Sequence, residues 1–111
     1  MTVSTIDLAT FTALQAAAGA QFIIELVGTF LEEAPVMLAE LRQSQAAGAA
    51  DPFRRAAHSL KSNSHTFGAT RLGNLARDLE LGGLPSDAAS LDELEAEYRR
   101  VAADLAELCR G

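Results

Sequence analysis

His58 and Lys61 are the two residues of this chain whose types and spacing could do chemistry together. Residues three positions apart are neighbours on one face of a helix, so the two side chains can reach the same ligand. A neutral imidazole is a good nucleophile toward an activated phosphoryl group, and an ammonium group can offset the negative charge that phosphorylation adds. In an otherwise acidic, alanine-rich chain, this pair indicates phosphoryl-group chemistry.

The segment that contains the pair has the pattern of an amphipathic helix. Its apolar stripe is formed by Phe53, Ala57, Leu60, Ser64 and Phe67. Its basic and polar flank is formed by Arg54, His58, Lys61, Ser62 and His65. We therefore expect the first set to face the core and the second set to be exposed to solvent.

A carboxylate on the next helix is predicted to lie beside His58. Gly68 ends the helix of His58 and begins a helical hairpin. His58 lies ten residues before Gly68 and Glu80 lies twelve residues after it, so His58 and Glu80 fall at nearly the same height on neighbouring helices. Glu80 can then accept the ring N–H of His58 and fix its tautomer. The alternative is that Glu80 forms a surface ion pair with Arg77.

Glycine and proline divide the chain into five predicted helices. The first begins after Asp7, which serves as its N-cap, and ends at Gly19. The second extends from there to Gly48. Pro35 lies inside it, but the apolar spacing continues on both sides, so we expect one kinked helix rather than two.

The remaining helices are predicted from their first residues. The third begins with Asp51 as N-cap and Pro52 at the first helical position. The fourth spans about residues 70–82, up to a glycine pair. The last begins at Ser90, which forms a capping box with Glu93.

Composition sets the fold class. The 111 residues suit one domain, over 1–111, with a single core. Hydrophobic residues make up 49% and aromatic residues only 5%, which favours close-packed helices over a β-sandwich or barrel. We therefore predict an all-α fold: an antiparallel four-helix bundle with a short additional N-terminal helix.

Charge and cysteine content exclude several classes of function. The net charge of −6 argues against binding to nucleic acid or to an anionic membrane surface. Cys109 is the only cysteine, so the chain has no internal disulfide and no cysteine-based metal site. No stretch has the pattern of a signal peptide or the length to span a bilayer. We expect a cytoplasmic protein.

The motif around His58 resembles the histidine-containing phosphotransfer (HPt) domains of multistep phosphorelays. The residues that carry the resemblance are His58-Ser59-Leu60-Lys61, Gly68-Ala69, Leu72 and Leu79-Glu80, and it extends over most of the chain. It implies that His58 is phosphorylated, that Lys61 contacts the phosphoryl group, and that Glu80 orients the imidazole.

The resemblance also implies a surface on which a partner docks. HPt domains usually have glycine directly after the motif lysine, where a small residue lets a receiver domain approach closely, and this chain has Ser62 there. Serine is also small, so we expect docking to be retained. We assign Arg54, Ser62, His65 and Gly68 to this docking surface.

The function implied is that of a phosphocarrier. His58 would accept a phosphoryl group from an aspartyl phosphate on one receiver domain and pass it to another. The partners implied are response-regulator receiver domains or a hybrid histidine kinase, with Mg²⁺ in the receiver and no cofactor bound by this chain. The sequence has no nucleotide-binding motif, so we expect no ATP-dependent kinase activity of its own. We expect a monomer, and the Met1 start favours a free-standing protein over part of a hybrid kinase.

Three other functions are alternatives to the phosphocarrier. A helical adaptor that is never phosphorylated would tolerate replacement of His58. A histidine-kinase dimerisation domain would be an obligate dimer. A metal-carboxylate enzyme would need glutamate three residues before its histidines, and Arg55 and Ser62 occupy those positions.

Overall fold

The computed structural model describes residues 4–110, which form five α-helices and contain no β-strand. The helices are α1 (Leu8–Ala18), α2 (Ala20–Ala47), α3 (Ala50–Thr66), α4 (Thr70–Gly82) and α5 (Ala89–Arg110). Helices α2 to α5 form the bundle, in which α2 and α4 each pack against both α3 and α5. Helix α1 packs on α2 and reaches α3. The predicted all-α fold with a short N-terminal helix is confirmed.

The core-facing stripe of α3 is the one predicted from its helical spacing. Its members, Phe53, Ala57, Leu60, Ser64 and Phe67, are all buried. The only polar one, Ser64, donates its hydroxyl to the carbonyl of Leu60 at 2.6 Å, which satisfies that group inside the core. The orientation of α3 is therefore fixed by burial, and its other flank must face solvent.

Helix α2 continues through Pro35, as the apolar spacing predicted. A proline has no N–H, so the carbonyl of Leu31, four residues earlier, lacks its usual helical donor. The hydroxyl of Tyr98 on α5 donates to that carbonyl over 3.4 Å. Tyr98 also packs edge-on against Phe30, so α5 supports α2 where the proline removes a hydrogen bond.

Asp7 caps α1, as predicted. Its carboxylate accepts the backbone N–H of Ala9 at 3.1 Å and the hydroxyl of Thr10 at 3.0 Å. Ile6 and Phe11, on either side of the cap, are buried together in the core. The N-terminal helix is thereby fixed to the bundle.

The predicted N-cap of α3 at Asp51 is wrong. The chain leaves α2 through Gly48, which has a φ of +67°, and the N–H of Ala49 donates to the carbonyl of Ser44 at 2.9 Å. This Schellman turn leads directly into the next helix, with Ala49 as the N-cap residue of α3. Asp51 lies in the first turn, where its carboxylate still stabilises the helix by interacting favourably with the helix dipole.

The predicted capping box at Ser90 is also wrong. Helix α5 begins at Ala89, whose N–H donates to the side chain of Asp87 at 3.0 Å. Ser90 therefore lies inside the helix, and Glu93 is 3.5 Å from Arg71 on α4. The start of α5 is set by the aspartate three residues before the predicted cap.

A buried carboxylate joins α4 to α5. Glu97 on α5 is buried, and its Oε1 accepts hydrogen bonds from Arg100 at 2.8 and 3.0 Å. The same oxygen lies 3.5 Å from Nε of Arg71 on α4. Because a buried charge is stable only when it is paired, this cluster helps to hold α4 in place. No helix within residues 4–110 is long and apolar enough to cross a membrane.

Candidate functional site

His58 lies on the solvent-facing flank of α3 and contacts α4 through one ring nitrogen. Its side chain is 58% exposed, and its Nδ1 is 2.7 Å from Oε2 of Glu80. The equal heights predicted from the hairpin at Gly68 therefore bring the two side chains into hydrogen-bonding contact. A carboxylate accepts but does not donate, so Nδ1 carries a hydrogen, and in the neutral imidazole Nε2 then has the free lone pair.

Lys61 contacts the same carboxylate. Its Nζ is 2.7 Å from the other oxygen, Oε1, which is buried and has no hydrogen-bond partner within residues 4–110. The contact is thus an ion pair without good hydrogen-bond angles. Glu80 is 15% exposed and Lys61 25%, so the pair is partly shielded from water and is stronger than one at the surface. We call this arrangement the His58–Glu80–Lys61 bridge.

The bridge contains one of the two contacts predicted for Glu80 and adds a further one. The carboxylate contacts the imidazole, as one reading required, but the contact with Lys61 was not foreseen. The alternative partner, Arg77, has its guanidinium 3.9 Å from Asp78 instead. Spacing along α3 places His58 and Lys61 on one face, but only the packing of α4 shows that one carboxylate lies between them.

Charge keeps Glu80 ionised. The ammonium of Lys61 is the main cause that holds the pKa of Glu80 below its usual value of 4.5. The hydrogen bond from His58 lowers the pKa further, and partial burial opposes both effects without outweighing them. At neutral pH the imidazole therefore lies beside an ionised carboxylate whose charge is shared with the ammonium of Lys61.

We predict that the Glu80 carboxyl titrates below pH 4.5 and that Lys61→Met moves its midpoint upward, because the largest stabilising charge is lost. The measurement is the carboxyl ¹³C chemical shift of Glu80 against pH. Because the folded pKa is lowered, stability from the bridge is present above about pH 4.5 and is lost as the pH falls through the folded value. Arg77→Met, which removes a cation from α4 that does not contact Glu80, should leave the midpoint unchanged. A wild-type midpoint at or above 4.5 would contradict this account.

An open cleft of about 410 Å³ lies beside the imidazole. It is lined by Arg54, Arg55, His58, Ser59 and Glu80. Arg54 is 3.4 Å from Asp51, and Arg55 has no ion-pair partner among residues 4–110. The cleft can thus receive an anionic group next to the imidazole. The sequence assigns no site role to Arg55 or Ser59, although both lie within three residues of His58.

Three of the predicted docking residues lie on the exposed flank of α3, and one of them, Arg54, is on the N-terminal side of His58. Ser62 and His65 are exposed, on the C-terminal side of His58. His65 is seven residues from His58, about 10 Å along the helix axis, and its ring lies over Gly73 of α4. A methyl group at Gly73 would be only 2.6 Å from Nε2 of His65. His65 is therefore a neighbour of the site rather than part of the bridge.

Gly68 cannot be part of an exposed docking surface. It is buried, and its carbonyl accepts the backbone N–H of Asp7 at 2.8 Å. Its φ of +83° lets the chain turn from α3 into α4, through the same pair of hydrogen bonds that closes α2. Its place in the site is indirect, since it sets the register of the hairpin that brings Glu80 to His58.

The described part of the chain, residues 4–110, has no group of three histidine, cysteine or acidic side chains placed to share a metal ion.

Comparison with models of known protein families gives a match to the Hpt domain over residues 25–104. The matched region begins in α2, includes the whole α3–α4 hairpin with the bridge, and ends in α5. Searches of curated proteins and of solved structures gave no significant match.

Proposed function

This chain belongs to the Hpt domain family, and from that premise we propose that His58 carries a phosphoryl group between receiver domains. Hpt domains take part in histidine phosphotransfer within phosphorelays, together with receiver domains and histidine kinases. The observation that supports His58 as the carrier is its geometry. The ring is exposed, and its Nδ1 is bound to Glu80, which leaves Nε2 as the available nucleophile.

In the proposed reaction, Nε2 of His58 attacks the phosphorus of an aspartyl phosphate on the receiver. The N–P bond forms as the P–O bond to the aspartate breaks, and the aspartate leaves as a carboxylate. The proton on Nδ1 stays in its hydrogen bond with Glu80, whose negative charge stabilises the positive charge that develops on the ring. Transfer to the next receiver is the same reaction in reverse.

Lys61 is proposed to compensate the charge of the phosphoryl group. Before transfer its ammonium is 2.7 Å from Glu80, one helical turn from His58. A phosphoryl group on Nε2 adds further negative charge nearby, so the ammonium would then be shared between the phosphoryl oxygens and the carboxylate. Arg54 and Arg55, which line the cleft, are the other cations within reach of such a group.

The proposal requires no cofactor in this chain. Mg²⁺ would be held by the acidic pocket of the receiver, where it neutralises the charge of the phosphoryl group during transfer. This chain would not phosphorylate itself from ATP, and incubation with labelled ATP and Mg²⁺ alone should leave it unlabelled.

The test is transfer of label. A receiver domain carrying ³²P on its aspartate is mixed with this protein, and the label on each is followed in time. Label that moves to this protein, is acid-labile and alkali-stable, and then moves to a second unlabelled receiver would support the carrier function. If several receivers leave the protein unlabelled while still binding to it, the adaptor function is favoured instead.

We also propose that the protein acts as a monomer. Helices α2 to α5 already close a bundle within one chain, so no second copy is needed to cover the core. Sedimentation equilibrium should give a mass near 11.7 kDa. An obligate dimer would instead favour a histidine-kinase dimerisation domain.

A further inference from the structure

A second cleft lies directly beside that of His58, between α2 and α3, and has a volume of about 490 Å³. We call it the α2 groove. The residues that matter here are Glu32, Glu33, Val36 and Glu40 from α2, with Arg55 and Ser59 from α3. Arg55 and Ser59 line the His58 cleft as well, so the two clefts share a wall and form one continuous face.

The acidic side of the α2 groove carries unbalanced charge. Glu32, Glu33 and Glu40 are all exposed, and none has an ion-pair partner within residues 4–110. Elsewhere in the bundle acidic side chains form ion pairs, as Glu93 and Glu97 do with Arg71. The three free carboxylates therefore make this edge of the protein attractive to a positively charged surface.

An apolar side chain lies among these carboxylates. Val36 is 57% exposed, and it lies four residues after Glu32 and four before Glu40, on the same face of α2. Met37 beside it is only partly buried. A single exposed valine needs no explanation, but one ringed by unpaired charges in a concave surface has the composition of a docking site.

The opposite edge of the same face is basic. Arg54, Arg55 and Lys61 lie along α3 around His58, while the glutamates lie along α2. Arg54 and Lys61 are paired with Asp51 and Glu80, so within residues 4–110 Arg55 supplies the unpaired charge of this positive strip, and the three glutamates supply that of the negative strip beside it. Two parallel strips of opposite charge favour one orientation of a partner and disfavour the reversed one.

We propose that the α2 groove selects the receiver domain that docks over His58. The partner it fits has an acidic phosphorylation pocket that meets the basic strip. Next to that pocket it carries an apolar side chain, flanked by lysine or arginine, that enters the groove at Val36. This inference rests on the proposed function, because it concerns the same phosphotransfer face, and it identifies Glu32, Glu33 and Glu40 as residues that determine specificity.

The test uses two receiver domains: one that labels the wild-type protein and has basic residues beside its phosphorylation pocket, and a variant of it in which those residues are glutamate. The groove variant is Glu33→Lys/Glu40→Lys. The matched control is Glu93→Lys/Glu107→Lys on α5, which makes the same change in net charge on a helix that does not pack against α3. Initial rates of label transfer are measured against receiver concentration at low and high ionic strength.

For the first receiver, we expect the groove variant to lower kcat/KM about tenfold at low ionic strength and to leave kcat nearly unchanged, because charge acts mainly on encounter. High ionic strength should remove most of the difference. With the charge-reversed receiver the order should invert, so that the groove variant is faster than the wild type. The α5 control should have the same kcat/KM as the wild type with both receivers.

A second variant tests the apolar contact. Val36→Ser should raise KM several-fold at every ionic strength, because loss of apolar contact does not depend on screening. Because Val36 is exposed, we expect the variant to fold normally, and circular dichroism checks this directly.

Several outcomes would overturn the proposal. Equal rates for the groove variant and the wild type at low ionic strength would show that the glutamates do not face the receiver. A faster groove variant with the basic receiver would show that the partner surface there is acidic. A wild-type dimer that the groove variant disrupts would assign the groove to a second copy of this chain. In each case wild-type labelling at His58 still reports on the proposed function separately.

Discussion

Replacing His58 with glutamine will reduce acceptance of label from a phosphorylated receiver by at least about 10³-fold, since the variant lacks the nucleophile that forms the N–P bond. Glutamine has a side-chain amide that can donate to Glu80, so the variant keeps the hydrogen bond of the bridge but loses the nucleophilic ring nitrogen. Because the His58 side chain is 58% exposed, the stability of the fold should change little. Label transfer and thermal unfolding, measured on the same preparation, separate the two effects.

His65→Gln is the matched control. It makes the same chemical change on the same flank of α3, but at a side chain that lies over Gly73 and does not contact Glu80. We expect it to accept label at a rate within about threefold of the wild type, as for a surface change outside the reacting group. Loss of label in the His65 variant, with normal labelling of the His58 variant, would mean that the other histidine is the carrier.

Replacing Gly68 with alanine will lower the free energy of unfolding by about 2–4 kcal/mol, because left-handed backbone strain and a steric collision act together. The φ of +83° is costly for any residue with a Cβ. That Cβ would also lie 2.8 Å from the backbone oxygen of Asp7, which cannot move without breaking the hydrogen bond between the N-terminal segment and the hairpin. Denaturation in urea measures the loss.

Gly73→Ala provides the comparison. Its Cβ would also be too close to a neighbour, but that neighbour is the exposed ring of His65, which can rotate into solvent. Gly73 lies inside α4, where alanine is the better helix former, so we expect its stability to stay within about 1 kcal/mol of the wild type. If Gly68→Ala lowers the free energy of unfolding no more than Gly73→Ala does, the left-handed backbone at Gly68 and its close approach to Asp7 do not hold the hairpin in place.

The position of His58 relative to Glu80 was predictable because it follows from repeating geometry. A helix rises by a constant amount per residue, and the glycine at position 68 marks where the chain reverses. Counting from that point gave the register of the hairpin. The buried stripe of α3 was predictable for the same reason, since every third or fourth residue faces the core.

The starts of α3 and α5 were not predictable from residue type alone. Asp51 and Ser90 are good capping residues, but in each case the helix begins at an earlier residue, so neither residue is at the N-cap position. At α3 the Schellman turn at Gly48 leaves room for only Ala49 before the helix begins. At α5 the carboxylate of Asp87 reaches the first helical N–H before Ser90 can.

Contacts that depend on the distance between two helices were also not predictable from the sequence. Lys61 was assigned to the phosphoryl group, and nothing in its spacing indicated that its ammonium also lies against Glu80. The place of His65 over Gly73 depends on how closely α3 approaches α4. The absence of a side chain at Gly73 permits a close approach, but the sequence alone does not show that the two helices make it. Gly68 was assigned to the docking surface because it belongs to the motif. Its burial shows instead that it is a structural residue of the turn between α3 and α4.

The most direct measurement is to locate the phosphoryl group by NMR on protein that has been phosphorylated by a receiver domain. Coupling between ³¹P and the ring ¹⁵N atoms identifies both the histidine and the nitrogen. We predict phosphorus on Nε2 of His58, with Nδ1 still protonated and bound to Glu80. Phosphorus on Nδ1 of His58, on His65 or on a carboxylate would contradict it.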